Sequence, residues 1–191
     1  MAQGISRMVR GDSAPALSNI FRSGIFVAIS MLPLVAAFNV HAQRCPLNET
    51  KVQPSTDYDT NRNAGAIILH KKTDLEWQRC SVGQRWEANT CTGQAQRLSW
   101  DDAQAFARSD ASNGGRWRVP TIGEFMGIVE SGCVSPPVNG NIFPNTQADY
   151  YWTVASQAGR VTHAWYVQFT EGNVSTNAKS FTYFVRLVRE R

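Results

Sequence analysis

The sequence predicts an α+β domain, two helices packed on antiparallel strands and hairpins and stabilised by disulfides. Three observations point there. Two segments with helical periodicity occupy the middle of the chain, and segments with strand periodicity lie before and after them. All four cysteines (Cys45, Cys80, Cys91, Cys133) and all six tryptophans lie beyond an apolar stretch near the N-terminus. Helices grouped between early and late antiparallel strands are the mark of an α+β architecture.

The apolar stretch itself reads as an address. Gly24 to Phe38 is fifteen residues without a charge, preceded by Arg7, Arg10 and Arg22 and followed by Val40-His41-Ala42. A positive leader, a short apolar core and small residues at the exit describe a secretory signal peptide, residues 1–42. The run is shorter than the ~18 residues expected of a membrane span, and Pro33 interrupts it, so no stable span is expected after cleavage. Cys45 follows Gln43-Arg44 instead of small residues, which disfavours lipid attachment.

The domain organisation follows: signal peptide 1–42, an extended polar arm 43–61 carrying Pro46 and Pro54, and one domain from 62 to 191. The leader holds three Arg and one Asp, so the net charge falls from +4 for the whole chain to about +2 for residues 43–191. That is too little for a dense basic face, and nucleic acid is not the expected partner. Four cysteines in an exported chain suggest two disulfides and allow three pairings. The polar, turn-rich segment between Cys80 and Cys91 suits a local closed loop, which leaves Cys45 for Cys133. No CxxC spacing is present, and His70 and His163 are isolated, so no metal site is expected.

Along the domain, Ala66-Ile67-Ile68-Leu69 runs through His70-Lys71-Lys72-Thr73-Asp74 into Leu75-Glu76-Trp77-Gln78-Arg79, a hairpin. Ser99 caps a helix in which Trp100, Ala103, Phe106 and Ala107 form the apolar face, with Asp101 and Asp102 in the first turn. Asn113-Gly114-Gly115 ends it. Thr121 and Glu124 form a capping box for a second helix that buries Phe125, Ile128 and Val129. Gly123 and Gly127 weaken this helix, which implies close packing against a neighbour. A loop rich in Gly, Pro and Asn spans 131–149. Tyr150 to Val154, Ala164 to Phe169 and Phe181 to Arg189 then read as strands, with Glu171-Gly172-Asn173 as a turn.

No enzyme is expected. The chain has no nucleophile elbow, no His pair at metal-binding spacing and no Gly-rich phosphate loop. Asp101 and Asp102 are adjacent on a helix and point in different directions, so they are not a catalytic pair. No cofactor is implied. Trp77, Trp100, Trp117 and Trp152 are expected in the core. Trp86, in the predicted disulfide loop, and Tyr150, at a strand start, are the aromatic candidates for a ligand surface. Arg116, Arg118 and Arg160 are the cationic ones, since an Arg fork pairs with sulfate or carboxylate on an acidic glycan. Lys179, Arg186 and Arg189 could join such a patch, although Arg186 and Arg189 are at odd spacing and face opposite sides of a flat strand.

Several motifs in a fixed order carry a family resemblance. They are Asp74-Leu75-Glu76-Trp77-Gln78-Arg79-Cys80, Gly83-Gln84-x-Trp86, Cys91-Thr92-Gly93 and Trp100-x-x-Ala103. Trp117-Arg118-Val119-Pro120-Thr121-x-x-Glu124-Phe125, Phe143-Pro144-Asn145-Thr146, Tyr151-Trp152-Thr153 and Val185-Arg186-Leu187-Val188-Arg189 complete the set. Over residues 62–190 the chain resembles the Lcl C-terminal domain family of bacterial secreted and surface proteins. The resemblance implies a C-type-lectin-like fold related to that of formylglycine-generating enzymes, and adhesive relatives that bind glycans or other surface polymers. The chain lacks collagen-like repeats and the Glu-Pro-Asn and Trp-Asn-Asp motifs of calcium-dependent lectins, and it shows no Asp/Glu cluster to hold calcium. The expectation is an exported, periplasmic or extracellular, non-catalytic module that binds a glycan or cell-surface polymer. The alternative is a periplasmic accessory protein whose partner is another protein.

Overall fold

In the computed structural model, which describes residues 43–46 and 53–191, the chain builds its first sheet from the predicted hairpin. The predicted signal peptide lies outside the described residues. Strand β1 (Tyr58–Arg62) pairs with β2 (Ile67–His70), and β2 pairs with β3 (Leu75–Gln78), all antiparallel. The sheet therefore begins at Tyr58, inside the stretch read as an arm. Next come a small hairpin, β4 (Arg85–Glu87) and β5 (Thr90–Thr92), and the short strand β6 (Arg97–Leu98).

Helix α1 (Trp100–Ser109) starts as expected. The Asp102 N–H donates to the Ser99 side chain at 3.2 Å, and Asp101 and Asp102 occupy the first turn. Ala103 and Ala107 form its buried face, so the helix sits close to the strands beneath it. Phe106, expected on that face, is 36% exposed, and Trp100 is half-buried. The contact row is narrower than the periodicity suggests because the two alanines bring the helix axis too close for a large neighbour to tuck under. Helix α2 (Ile122–Met126) has the full capping box: the Glu124 N–H donates to Thr121 Oγ1 and the Thr121 N–H to Glu124 Oε2. It lasts only five residues, ending at Gly127, and Ile128 and Val129 are buried beyond it. The glycines do not serve close packing. A Cβ on Gly123 would meet nothing within 4 Å, and one on Gly127 would approach only carbonyls of its own turn.

The C-terminal strands are β7 (Tyr150–Ser156), β8 (His163–Gln168), β9 (Asn173–Ala178), β10 (Tyr183–Phe184) and β11 (Val188–Glu190). The single strand expected over 181–189 is thus two. β10 lies in a sheet of order β6-β10-β7-β8-β9, whereas β11 crosses over to pair with β3 in the sheet β1-β2-β3-β11. The break between them is where Arg186 turns inward, 1% exposed.

Strands β2 and β7 are covered on both faces. Neighbouring residues split between two apolar clusters: Ile68, Tyr151 and Val188 enter one, and Ile67, Trp152 and Leu187 the other. This is the period-two alternation of a strand with a core on each face. Trp77, Trp117 and Trp152 are buried as expected. Both disulfides, Cys80–Cys91 and Cys45–Cys133, are present, with sequence separations of 11 and 88. Closing loops of these lengths restricts the unfolded chain by about 3 and about 4–5 kcal/mol on the chain-entropy model. The longer bridge ties residues 43–46 to the loop after α2, beside two backbone hydrogen bonds between Arg44 and Val134.

Candidate functional site

The site grows from the Cys80–Cys91 hairpin. The two residues between β4 and β5, Ala88 (φ 48°) and Asn89 (φ 62°), both take left-handed conformations, the geometry of a tight type I′ turn. Asn145 braces the hairpin from the long loop, its Nδ2 donating to the Cys91 carbonyl at 2.7 Å. Trp86 stands opposite Cys91 on β4. Its indole N–H donates to the Ala64 carbonyl at 3.0 Å. That carbonyl is presented by three successive left-handed residues, Asn63, Ala64 and Gly65. Gly65 is required there twice over: its φ is 89°, and a Cβ would lie 2.8 Å from the indole nitrogen.

The Arg79 guanidinium covers one face of Trp86, 3.8 Å from the ring centroid. It is pinned by the Ile142 carbonyl (2.9 Å), the Asn141 carbonyl (2.9 Å) and the Gly65 carbonyl (3.3 Å). Burial pushes its pKa down. Among the described residues it pairs with no carboxylate. Around these two residues lies a groove of about 500 Å³, bordered by Thr60, Asn61, Asn89 and Asn141. The amide side chains of Asn61, Asn89 and Asn141 are exposed and make no hydrogen bond within the described residues. Each offers one acceptor and two donors.

Of the residues singled out from sequence, Trp86 is the one that lines this groove. Arg118 is occupied elsewhere. It bonds both oxygens of Glu124 (2.8 and 2.6 Å) and reaches Glu190 (2.6 Å), so its fork is already filled by carboxylates. Those hydrogen bonds, Glu124's first, raise the Arg118 pKa against the opposing effect of burial. The Arg118 guanidinium, expected from the sequence to face a ligand, is thus paired with carboxylates of its own domain. Arg116, at φ 62°, and Arg160, in the turn after β7, are exposed and do not line this groove. Tyr150 is half-buried in a cluster with Tyr166 and Tyr183, at 5.0 and 5.1 Å between ring centroids. Lys179 lies over Trp100 at 3.9 Å.

Arg186 and Arg189 are internal. Arg189 (8% exposed) pairs with Glu76 at 2.7 Å, which also accepts from Arg62 at 2.7 Å. The two disulfide sulfurs of Cys45 and Cys133 and a carboxylate oxygen of buried Glu130 lie within 4.8 Å of one another, but both sulfurs are spent in the disulfide. No helix among the described residues is long and apolar enough to cross a membrane.

Sequence reasoning missed Arg79, Asn61, Asn89 and Asn141. Arg79 stands in the motif beginning at Asp74, yet nothing local marks its stacking partner. The asparagines come from three distant segments, and only the fold brings them to one groove.

No match is found among curated proteins. The family model of the Lcl C-terminal domain matches residues 66–189, which contain Arg79, Trp86 and every strand from β2 to β10. The chain therefore belongs to the Lcl C-terminal domain family.

Proposed function

We propose that this protein is an exported, non-catalytic binding module for a glycan or cell-surface polymer, held in the groove at Trp86. The observation that carries the reading is the pinned aromatic plane bordered by three unbonded asparagine amides. An aromatic face packs against the C–H surface of a sugar ring, and amides match hydroxyls as both donors and acceptors. The left-handed run Asn63–Gly65 lends support, since backbone held outside its usual regions tends to gather at binding sites. Two disulfides fit an oxidising compartment outside the cytoplasm.

A second reading, a protein partner, draws on Val161 (81% exposed) and Phe181 (53%). Their turns meet where the Lys179 N–H donates to the Thr162 carbonyl at 2.9 Å.

A glycan-array screen of residues 43–191, folded under oxidising conditions and repeated with chelator and at raised salt, tests the proposal. Binding that is lost in Trp86→Ala supports it. Silence across the array from demonstrably folded protein overturns it in favour of the protein partner.

A further inference from the structure

Trp86 is the shared wall of two grooves. Besides the one bordered by the asparagines, a second of about 310 Å³ runs past Gln78, Phe106, Asp110 and Ser112. Phe106 is left 36% exposed there by the close approach of α1, so this groove has an aromatic side chain on each bank. With Arg79 on one face of the indole, a ligand can stack only on the other.

The charges along both grooves are engaged. Arg79 is held by carbonyls, and Arg85 lies 3.4 Å from Glu87. Asp110 accepts from the Gln78 amide at 2.7 Å and from the Ser112 N–H at 2.8 Å. Among the described residues, the amides of Asn61, Asn89 and Asn141, the Thr60 hydroxyl and the apolar faces of Trp86 and Phe106 are left free along the grooves.

Resting on the glycan-binding reading, we infer that the two grooves form one extended site for an internal stretch of a linear, uncharged, amide-bearing glycan such as a chain of N-acetylated hexosamines. Amide side chains pair with acetamido groups and hydroxyls, and the two aromatic faces take the apolar sides of successive rings. A chain crossing Trp86 gains contacts on both sides, whereas a single sugar reaches only one.

The test is calorimetric titration of residues 43–191 with the β-1,4-linked N-acetylglucosamine series from one to six units, at low and high salt. We expect affinity to rise by about tenfold or more between the disaccharide and the tetrasaccharide, a step of about 1.4 kcal/mol, with little salt dependence. Phe106→Ala and Asn89→Gly, which keeps the left-handed turn, should each flatten that rise while near-ultraviolet circular dichroism stays native. Equal affinity for one and four units overturns the extended site. No binding to the series, with binding to other glycans on the array, overturns the inference and leaves the glycan reading standing. Silence in both overturns both.

Discussion

Arg186 reaches Thr146 across the interior, its Nη2 donating to Thr146 Oγ1 at 2.8 Å. The same guanidinium donates to the carbonyls of Gln78 (3.0 Å) and Arg79 and to the Ser81 hydroxyl (3.3 Å), and lies over the Phe143 ring at 4.8 Å. Burial lowers its pKa, and neighbouring Tyr151 opposes that shift. Among the described residues its polar partners are neutral oxygens, so the residue works as a pin that holds the end of β3, and with it Arg79, against the long loop.

Arg186→Met should therefore destabilise the domain by about 3 kcal/mol or more, because buried carbonyls and hydroxyls lose their donor while the volume stays similar. Urea unfolding checks this. A loss under 1 kcal/mol would mean that the interior rearranges to satisfy those acceptors.

Arg79→Lys keeps the charge but loses the flat fork that both covers Trp86 and reaches three carbonyls. We expect a stability loss of about 1–3 kcal/mol, a shift in tryptophan fluorescence and weakened ligand binding. Native fluorescence and affinity in this variant would remove Arg79 as the backing of the site.

His70 is 2% exposed and stacks on Tyr58 at 4.9 Å. Burial lowers its pKa, with Lys72 acting the same way and Asp57 opposing. A depressed folded-state value means the stabilisation is complete above the unfolded value, about 6.5, and is lost as pH falls through the folded one. Thermal midpoints should decline below pH 6.5 in the wild type, and His70→Phe should show a shallower decline in that window. Parallel curves would assign the decline to other groups.

Gly123 lies in α2, exposed, with open space where a Cβ would go. Gly123→Ala should stabilise the domain by about 0.5–1 kcal/mol. Chemical denaturation reads this directly, and a destabilised variant would mean that α2 depends on glycine for a contact.

Local patterns were legible wherever a residue's role depends on its near neighbours. The Ser99 cap, the Thr121–Glu124 box, the 66–79 hairpin and the strands at 150 and 164 follow from caps, turns and alternation. Less was legible where packing distance decides. Phe106 obeys the helical period yet stays partly exposed, because Ala103 and Ala107 set the approach of α1. The arginines show the same division. Their number is plain in the sequence, but Arg118 is taken up by nearby Glu124 and distant Glu190, Arg189 by Glu76, and Arg186 by oxygens of Gln78, Ser81 and Thr146.

By itself, the sequence determined the family, the α+β class and the positions of the cysteines, because motif order, periodicity and spacing are properties of the chain. Only the tertiary structure decided which of its polar groups remain available. Hydrogen-bond satisfaction is a property of the folded neighbourhood: it consumes most of the arginines and leaves free the three asparagine amides beside Trp86.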